Sequence, residues 1–258
     1  MKILLLQISL LLIVHSTVKS QTDSINNFVP DRPGMATPPD ILTLKYFQVE
    51  NGFQYEKYDD GILQNENFLF SSLLLRYGVV KNAEIRIQYD YAYYKTNDSS
   101  TTSAVYGLNP ITIGTKIKLI EQRKVIPNIS FLLNLTLPFI GKKEFKPDNI
   151  APSICILMSN SISEKFNLCY NFGLSWDGNT SQPVHFCALC LGANLQPKLS
   201  TFIEGYCLSN QQTNSEFYTD AGFAYLLNDH LQIDLSATGY LNSFLEYYCL
   251  NAGIAWQF

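Results

Sequence analysis

Past its first twenty residues the sequence has no apolar run long enough for a spanning helix, no cluster of lysine and arginine, and little histidine. A helix needs about 20 consecutive apolar residues to cross a bilayer, so a helical membrane protein is excluded. Without a basic patch there is no electrostatic footprint for nucleic acid, and no such partner is expected. His185 and His230 are the only bases of the usual kind beyond the first twenty residues, and no Gly-x-Ser-x-Gly occurs. A hydrolase or acyltransferase needs a nucleophile and base within hydrogen-bond reach, so catalytic residues and cofactors are not expected. Cysteine is present but poorly arranged for a metal. Cys187 and Cys190 have zinc or redox spacing, yet no second such pair follows. On a strand, residues three apart point to opposite faces. Cys155, Cys169, Cys187, Cys190, Cys207 and Cys249 therefore read as small wall residues, with a disulfide open but unassignable.

What is present begins with an export signal. Met1-Lys2 is followed by the aliphatic run Ile3 to Val14 and by Val18-Lys19-Ser20, where a signal peptidase would cut. Residues 1–20 are expected to leave, which takes the formal charge from −4 to −6 through loss of Lys2 and Lys19. Residues 21–41 form a lead segment whose Pro30, Pro33, Pro38 and Pro39 exclude a regular helix or central strand. It is either a loose periplasmic arm or a plug that tucks into a lumen, and composition leaves both readings open.

Residues 42–258 alternate with period two. Ile85, Ile87, Tyr89, Tyr91 and Tyr93 interleave with Glu84, Arg86, Gln88, Asp90 and Ala92. The same pattern recurs through Ile113, Ile117 and Leu119, through Ile129 to Leu137, and through Phe166 to Trp176. Helical spacing fits none of these stretches. Each strand runs about ten residues, the length that crosses a bilayer at barrel tilt, against about five or six for a soluble sandwich. Sixteen Tyr and sixteen Phe suit interfacial girdles. Short turns at Val80-Lys81-Asn82, 121–124, 161–164, 196–198 and 228–230 alternate with longer polar links at 59–67, 95–107, 140–150, 177–183 and 209–216. The fold class that follows is all-β, a transmembrane antiparallel up-and-down barrel of about twelve strands in the outer membrane, with both ends periplasmic.

Tyr248, Leu250, Ala252, Ile254, Trp256 and Phe258 share one face of the final strand. An alternating strand closing in Phe resembles the C-terminal signature that barrel-insertion machinery reads, so that machinery and outer-membrane lipid are the expected partners. Pro30-Asp31-Arg32-Pro33-Gly34, then Tyr46 to Phe53, then Leu74-Leu75-Arg76-Tyr77-Gly78-Val79 leading into Ala83-Glu84-Ile85-Arg86, resemble a bacterial family over roughly residues 28–258. It is the family of outer-membrane transporters named after the MetA pathway of phenol degradation, many of them from Bacteroidetes. Asp31-Arg32-Pro33 and Arg76-Tyr77-Gly78 carry the more specific part of the likeness. The resemblance implies a barrel that passes small molecules, hydrophobic or aromatic ones among them, without carrying phenol itself over. Six cysteines depart from the family pattern.

With greasy residues outward, the charged set faces in: Glu50, Glu56, Arg76, Glu84, Arg86, Asp90, Lys116, Lys118, Glu204, Asp220 and Asp234. These are candidate lumen-lining residues, and Asp90 is expected beside Lys116. They read either as charge rings guiding an unknown small solute or as a salt-bridge network filling a narrow barrel, and the network is preferred. Tyr89, Tyr91, Tyr93, Trp176, Trp256 and Phe258 are candidate interfacial aromatics. The competing functions are a structural or adhesive barrel working through loops such as 96–103, a barrel-embedded lipid-modifying enzyme, and a secreted soluble β-protein, which strand length disfavours.

Overall fold

The computed structural model describes residues 28–258 apart from 99, 211–214, 242 and 244. The expected signal peptide lies outside the described residues. From Phe47 the chain forms one antiparallel sheet: β1 (Phe47–Asp59), β2 (Gln64–Val80), β3 (Ala83–Asn97), β4 (Thr102–Leu108), β5 (Thr112–Ile120), β6 (Asn128–Thr136), β7 (Ala151–Ser161), β8 (Phe166–Ser175), β9 (Val184–Gln196), β10 (Leu199–Ser209), β11 (Glu216–Asn228), β12 (Leu231–Tyr240) and β13 (Tyr247–Gln257). Apart from β4 and β5, sequence neighbours pair with each other, and β1 pairs with both β2 and β13, which closes the ring. Closure leaves no sheet edge in lipid, the condition for a strand-built membrane span.

β3 pairs with β5 along Ala83–Gln88 and with β4 along Tyr91–Asn97, so β4 and β5 are two halves of one wall strand and the barrel has twelve. The break falls at Asn109-Pro110-Ile111. Pro110 has no N–H for the ladder, and the wall is rejoined by the Asn109 N–H, which donates to the Asp90 carbonyl at 2.8 Å. The other edge of β4 is covered by the loop 137–150. There the Lys142 N–H donates to the Leu108 carbonyl and its ammonium to the Tyr106 carbonyl, each at 2.8 Å.

Strand length is where the sequence reading needs correction. β2 has 17 residues and β3 has 15, well beyond a bilayer crossing. The expected links at 59–67 and 95–107 are mostly strand, because a polar stretch marks the end of lipid contact and not the end of backbone pairing. The β3–β4 hairpin closes on Asp98, which accepts the N–H groups of Ser100 at 2.7 Å and Thr101 at 2.6 Å. Those two donors hold its carboxyl down at about 2. The turn 121–127 is longer than expected, whereas 137–150 and 176–183 are the long loops of the opposite end.

The packing is inverted relative to a soluble domain. Ile85 and Ile87 are 47% and 41% exposed, while Glu84 and Lys116 are 0% exposed. Two aromatic groups stand on the outer face. At the turn end the Trp256 and Phe258 rings lie 4.2 Å apart, with Phe47 6.1 Å from Phe258. Toward the loops, Tyr55, Phe68 and Tyr93 pack in series, Phe70 lies 6.3 Å from Tyr91, and Tyr248 joins through Tyr55. Tyr89 shares the outer face of β3, and Trp176 follows β8 at the loop end, its N–H on the Pro152 carbonyl at 3.0 Å. Trp256 and Tyr248 are eight residues apart on β13, and at strand rise and barrel tilt that separates the groups by about 20 Å, close to the apolar band of an outer membrane.

Candidate functional site

The lead segment enters the barrel and is held there by the inner wall. Its four prolines keep residues 30–39 extended and irregular, which leaves carbonyls and N–H groups free to meet side chains. The Asp31 N–H donates to both Glu50 carboxylate oxygens at 3.0 and 3.1 Å. The Met35 and Ala36 N–H groups donate to Glu204 at 3.0 and 2.8 Å, the Thr37 N–H to Asn171 at 2.7 Å, and the Leu42 N–H to Glu84 at 2.8 Å. In the other direction Lys116 donates to the carbonyls of Pro38 and Asp40, Arg76 to those of Val29 and Asp40, Asn171 to that of Thr37, and Ser130 to that of Pro39.

Asp31 is the anion at the centre of one arc of the wall. Its carboxylate lies 2.8 Å from Lys116, 3.2 Å from Arg76 and 2.6 Å from Arg86, the last an ion pair rather than an aligned hydrogen bond. Burial alone would raise the Asp31 carboxyl, but Arg76, Arg86 and Lys116 outweigh it and hold the group well below the usual carboxylate range. Arg76 grips Glu84 with two parallel bonds of 2.9 Å and reaches Glu50 at 3.0 Å, while Arg86 meets Glu84 at 2.9 Å. A bidentate pair of this kind fixes geometry as well as charge. Breaking it by removing one partner leaves a bare buried charge, worth about 3–5 kcal/mol.

Arg32, the next residue, serves a second arc. Its guanidinium reaches Asp234 on β12 at 3.1 Å. To get there it passes over Gly52 and Gly253, where a Cβ would sit 2.1 and 2.2 Å from its nitrogens. Only glycine leaves room at both positions. Residues 199–258 contain no Lys or Arg, so Glu204 relies on the lead segment's N–H groups and Asp234 on Arg32 for compensation, while Asp220 is met by Ser236 and Thr238 of the wall.

Of the eleven inward candidates, Glu50, Arg76, Glu84, Arg86, Lys116, Glu204, Asp220 and Asp234 are buried in the interior. Glu56 is half-buried and accepts from Asn67 at 2.8 Å and from the Tyr247 hydroxyl at 3.4 Å. Two expected placements are corrected. Asp90 lies by Ser72, Gln88 and Asn109 rather than Lys116, whose cation is taken by Asp31. Lys118 pairs with Glu121 at 3.6 Å at the turn-end rim.

The lead segment separates two interior cavities. One, of about 390 Å³, lies toward the turns, against Cys169, Cys190, Lys198, Phe202 and Gln232. The other, of about 560 Å³, opens toward the loops, and Asp31, Arg32, Pro33 and Gly34 border both. The loop-side vestibule has unlike flanks. Glu56, Arg86 and Gln88 line one; Tyr206, Tyr218 and Tyr247 line the other, with Asp220, Thr238 and Asn251 beside them. Tyr206 and Tyr218 stack at 4.6 Å with planes 10° apart, and Tyr240 lies 4.9 Å from both Tyr218 and Tyr247. The Tyr218 hydroxyl donates to Glu216 at 2.6 Å. These inward tyrosines were missed in the sequence, although Tyr206 and Tyr218 share the parity of Glu204 and Asp220. His185 lies at the loop end of β9 and His230 in a turn at the opposite end, and among the described residues no group of three His, Cys, Asp or Glu is placed for a metal.

The family model described as "Putative MetA-pathway of phenol degradation" matches residues 30–258. No curated protein matches the sequence. Among solved structures, an outer membrane channel from Pseudomonas putida F1 superposes with a TM-score of 0.69 at 13% identity, covering 88% of this chain and 99% of that one. The translocator domain of the autotransporter NalP from Neisseria meningitidis gives 0.54 at 9% identity, covering 83% and 88%. The KdgM porin gives 0.53 at 7% identity, covering 81% and 99%. At these identities the likeness is one of fold, that of an outer-membrane β-barrel.

Proposed function

The chain belongs to the family described as "Putative MetA-pathway of phenol degradation", and from that membership and the lumen geometry we propose that it is an outer-membrane channel for small solutes, closed at mid-height by its own lead segment. The observation that carries the reading is the pair of cavities with residues 31–34 between them. Space on both sides of a segment that belongs to no strand favours passage over a barrel used only as scaffold or adhesive surface. The vestibule favours solutes with one flat apolar face and one polar end. Such a molecule can lie against Tyr206 and Tyr218 while Arg86, Gln88 or Glu56 satisfies its polar group.

The charge network and the passage are not alternatives in this reading. The network fills the lumen at the height of the lead segment, and space remains above and below it. The neighbours of similar fold are named as channels, porins and autotransporter translocators and not as enzymes, which agrees with a non-enzymatic role. Partners are the outer-membrane lipid around the apolar band and, during biogenesis, insertion machinery acting on the strand that ends in Phe258.

Liposome swelling tests the proposal. Purified protein is compared with a variant lacking residues 22–40, using sugars, amino acids and small aromatics. The expected result is slow, selective entry for the intact protein and fast, less selective entry for the variant. Equal entry for both, with both inserted, defeats the partition and leaves the scaffold reading.

A further inference from the structure

The six cysteines are thiols in the structure, but four of them are not scattered. Cys169 on β8 stands directly opposite Cys190 on β9, and Cys187 on β9 directly opposite Cys207 on β10. Because Cys187 and Cys190 are three apart on one strand, they project to opposite faces. Cys190 meets its partner on the inner face, where both line the turn-side cavity. Cys187 meets its partner on the outer face, and the two thiols are within hydrogen-bonding reach. Spacing that resembles a metal or redox motif thus resolves into two separate cross-strand contacts.

We infer that the protein in the outer membrane carries two cross-strand disulfides, Cys169–Cys190 within the lumen and Cys187–Cys207 on the lipid face, stapling β8, β9 and β10 together. Directly opposed residues of an antiparallel pair have Cα atoms about 4.5 or 5.5 Å apart, and a disulfide spans about 4.4–6.8 Å, so neither bridge needs backbone movement. A Cys187–Cys190 bridge is excluded once β9 has formed, since the two side chains lie on opposite faces. The periplasm through which an outer-membrane chain passes is an oxidising compartment.

Each bridge needs an oxidant, here a periplasmic thiol–disulfide oxidoreductase in its disulfide form. The thiolate of one cysteine attacks that disulfide and expels one oxidant thiolate, giving a mixed disulfide. The partner cysteine's thiolate then attacks the bonded cysteine sulfur, forms the bridge and expels the second oxidant thiolate. Two protons and two electrons leave the chain, and the oxidant becomes a dithiol. A thiolate is costly beside lipid, so the outer bridge forms once β9 and β10 have paired in register and before their outer faces meet lipid. Closing the inner bridge takes Cys169 from its contact with the Thr37 carbonyl, 3.5 Å away in the thiol form.

The test uses the whole chain, exported in a Gram-negative host with an intact disulfide-forming pathway. Cells are quenched in acid, and free thiols are alkylated in denaturant with a mass-shifting maleimide. The expected result is two reactive thiols, Cys155 and Cys249, with all six reactive only after reduction. Because residues 199–258 lack Lys and Arg, bridges are mapped with a protease that cuts after aromatic residues and leucine. Cys187→Ser is expected to expose Cys207 and leave the Cys169–Cys190 bridge intact; Cys190→Ser is expected to expose Cys169 only. Six reactive thiols in heat-modifiable, membrane-inserted protein overturn the inference, as does either pair remaining reduced or any other pairing. Should the single variants insert poorly, the thiol count and bridge map of the unsubstituted protein decide the matter alone.

Discussion

Two arcs of the barrel wall handle buried charge in different ways. Along β1 to β5, Arg76, Arg86 and Lys116 stand among Glu50 and Glu84, and the wall nearly balances itself. From β10 onward there is no Lys or Arg, and Glu204, Asp220 and Asp234 face the interior with a bank of tyrosines above them. One dipeptide of the lead segment answers both: Asp31 supplies an anion to the first arc and Arg32 a cation to the second. The comparison teaches that the wall is incomplete without the lead segment, the first arc for want of an anion and the second for want of a cation.

The sharpest way to break the contrast is to remove residues 22–40. Both arcs then lose their complement, and solute entry in swelling assays is expected to rise on the order of tenfold as the narrowest level of the pore opens. Next in size is Arg76→Met, which strands Glu84 and Glu50. The gel transition from folded to heat-denatured protein should fall by an amount corresponding to about 3–5 kcal/mol, with little change in single-channel conductance. A large conductance change at unaltered stability would show that Arg76 guards the passage and does not brace it.

Gly253→Val tests the acidic arc from the other side. Its side chain takes the space of the Arg32 guanidinium, so conductance should rise while the Arg76 network and the gel transition change by less, about 1–3 kcal/mol for an unsatisfied buried group. Tyr218→Ala is expected to weaken saturation by aromatic solutes by about 0.5–1.5 kcal/mol, and to leave salt conductance near its original value. The change confined to the lowest pH concerns Asp31. Its folded-state pKa is depressed, so its contribution is present above the ordinary carboxylate value of about 3.9 and is lost as pH falls toward the folded value. The stability difference between the unsubstituted protein and Asp31→Asn should be constant from pH 8 to pH 5 and shrink only below about pH 4.

Much of the wall was legible in the sequence, because lipid outside and water inside impose a period of two that no loop imitates. Ile85 and Ile87 could be placed outward and Glu84 and Arg86 inward from that period alone. Strand ends were not legible. Residues 95–107 are polar, and polarity reports departure from lipid while the hydrogen-bond ladder continues to Asn97. Pairing between strands was legible only where partners are close in the chain, as for Arg76 and Glu84. Lys116 was assigned to Asp90, but the partner that reached it is Asp31, 85 positions away, and no periodicity encodes that contact. The cysteine pairs depend on cross-strand register for the same reason. The inward tyrosines are hidden for another reason, since an aromatic ring suits an interfacial girdle and a lumen alike, and only parity with Glu204 and Asp220 separates the two.

Gly52 and Gly253 are not merely two small residues near Arg32. They are partners in register across β1 and β13, the first and last strands, which meet only when the cylinder shuts. The berth for Arg32 therefore does not exist in an open sheet. A slip of one position at that seam would turn one of the two glycines away from the interior, and a slip of two would set a residue with a Cβ opposite each of them. Seating of the leading peptide is therefore tied to the alignment of the seam, and a misaligned cylinder is short of one cation.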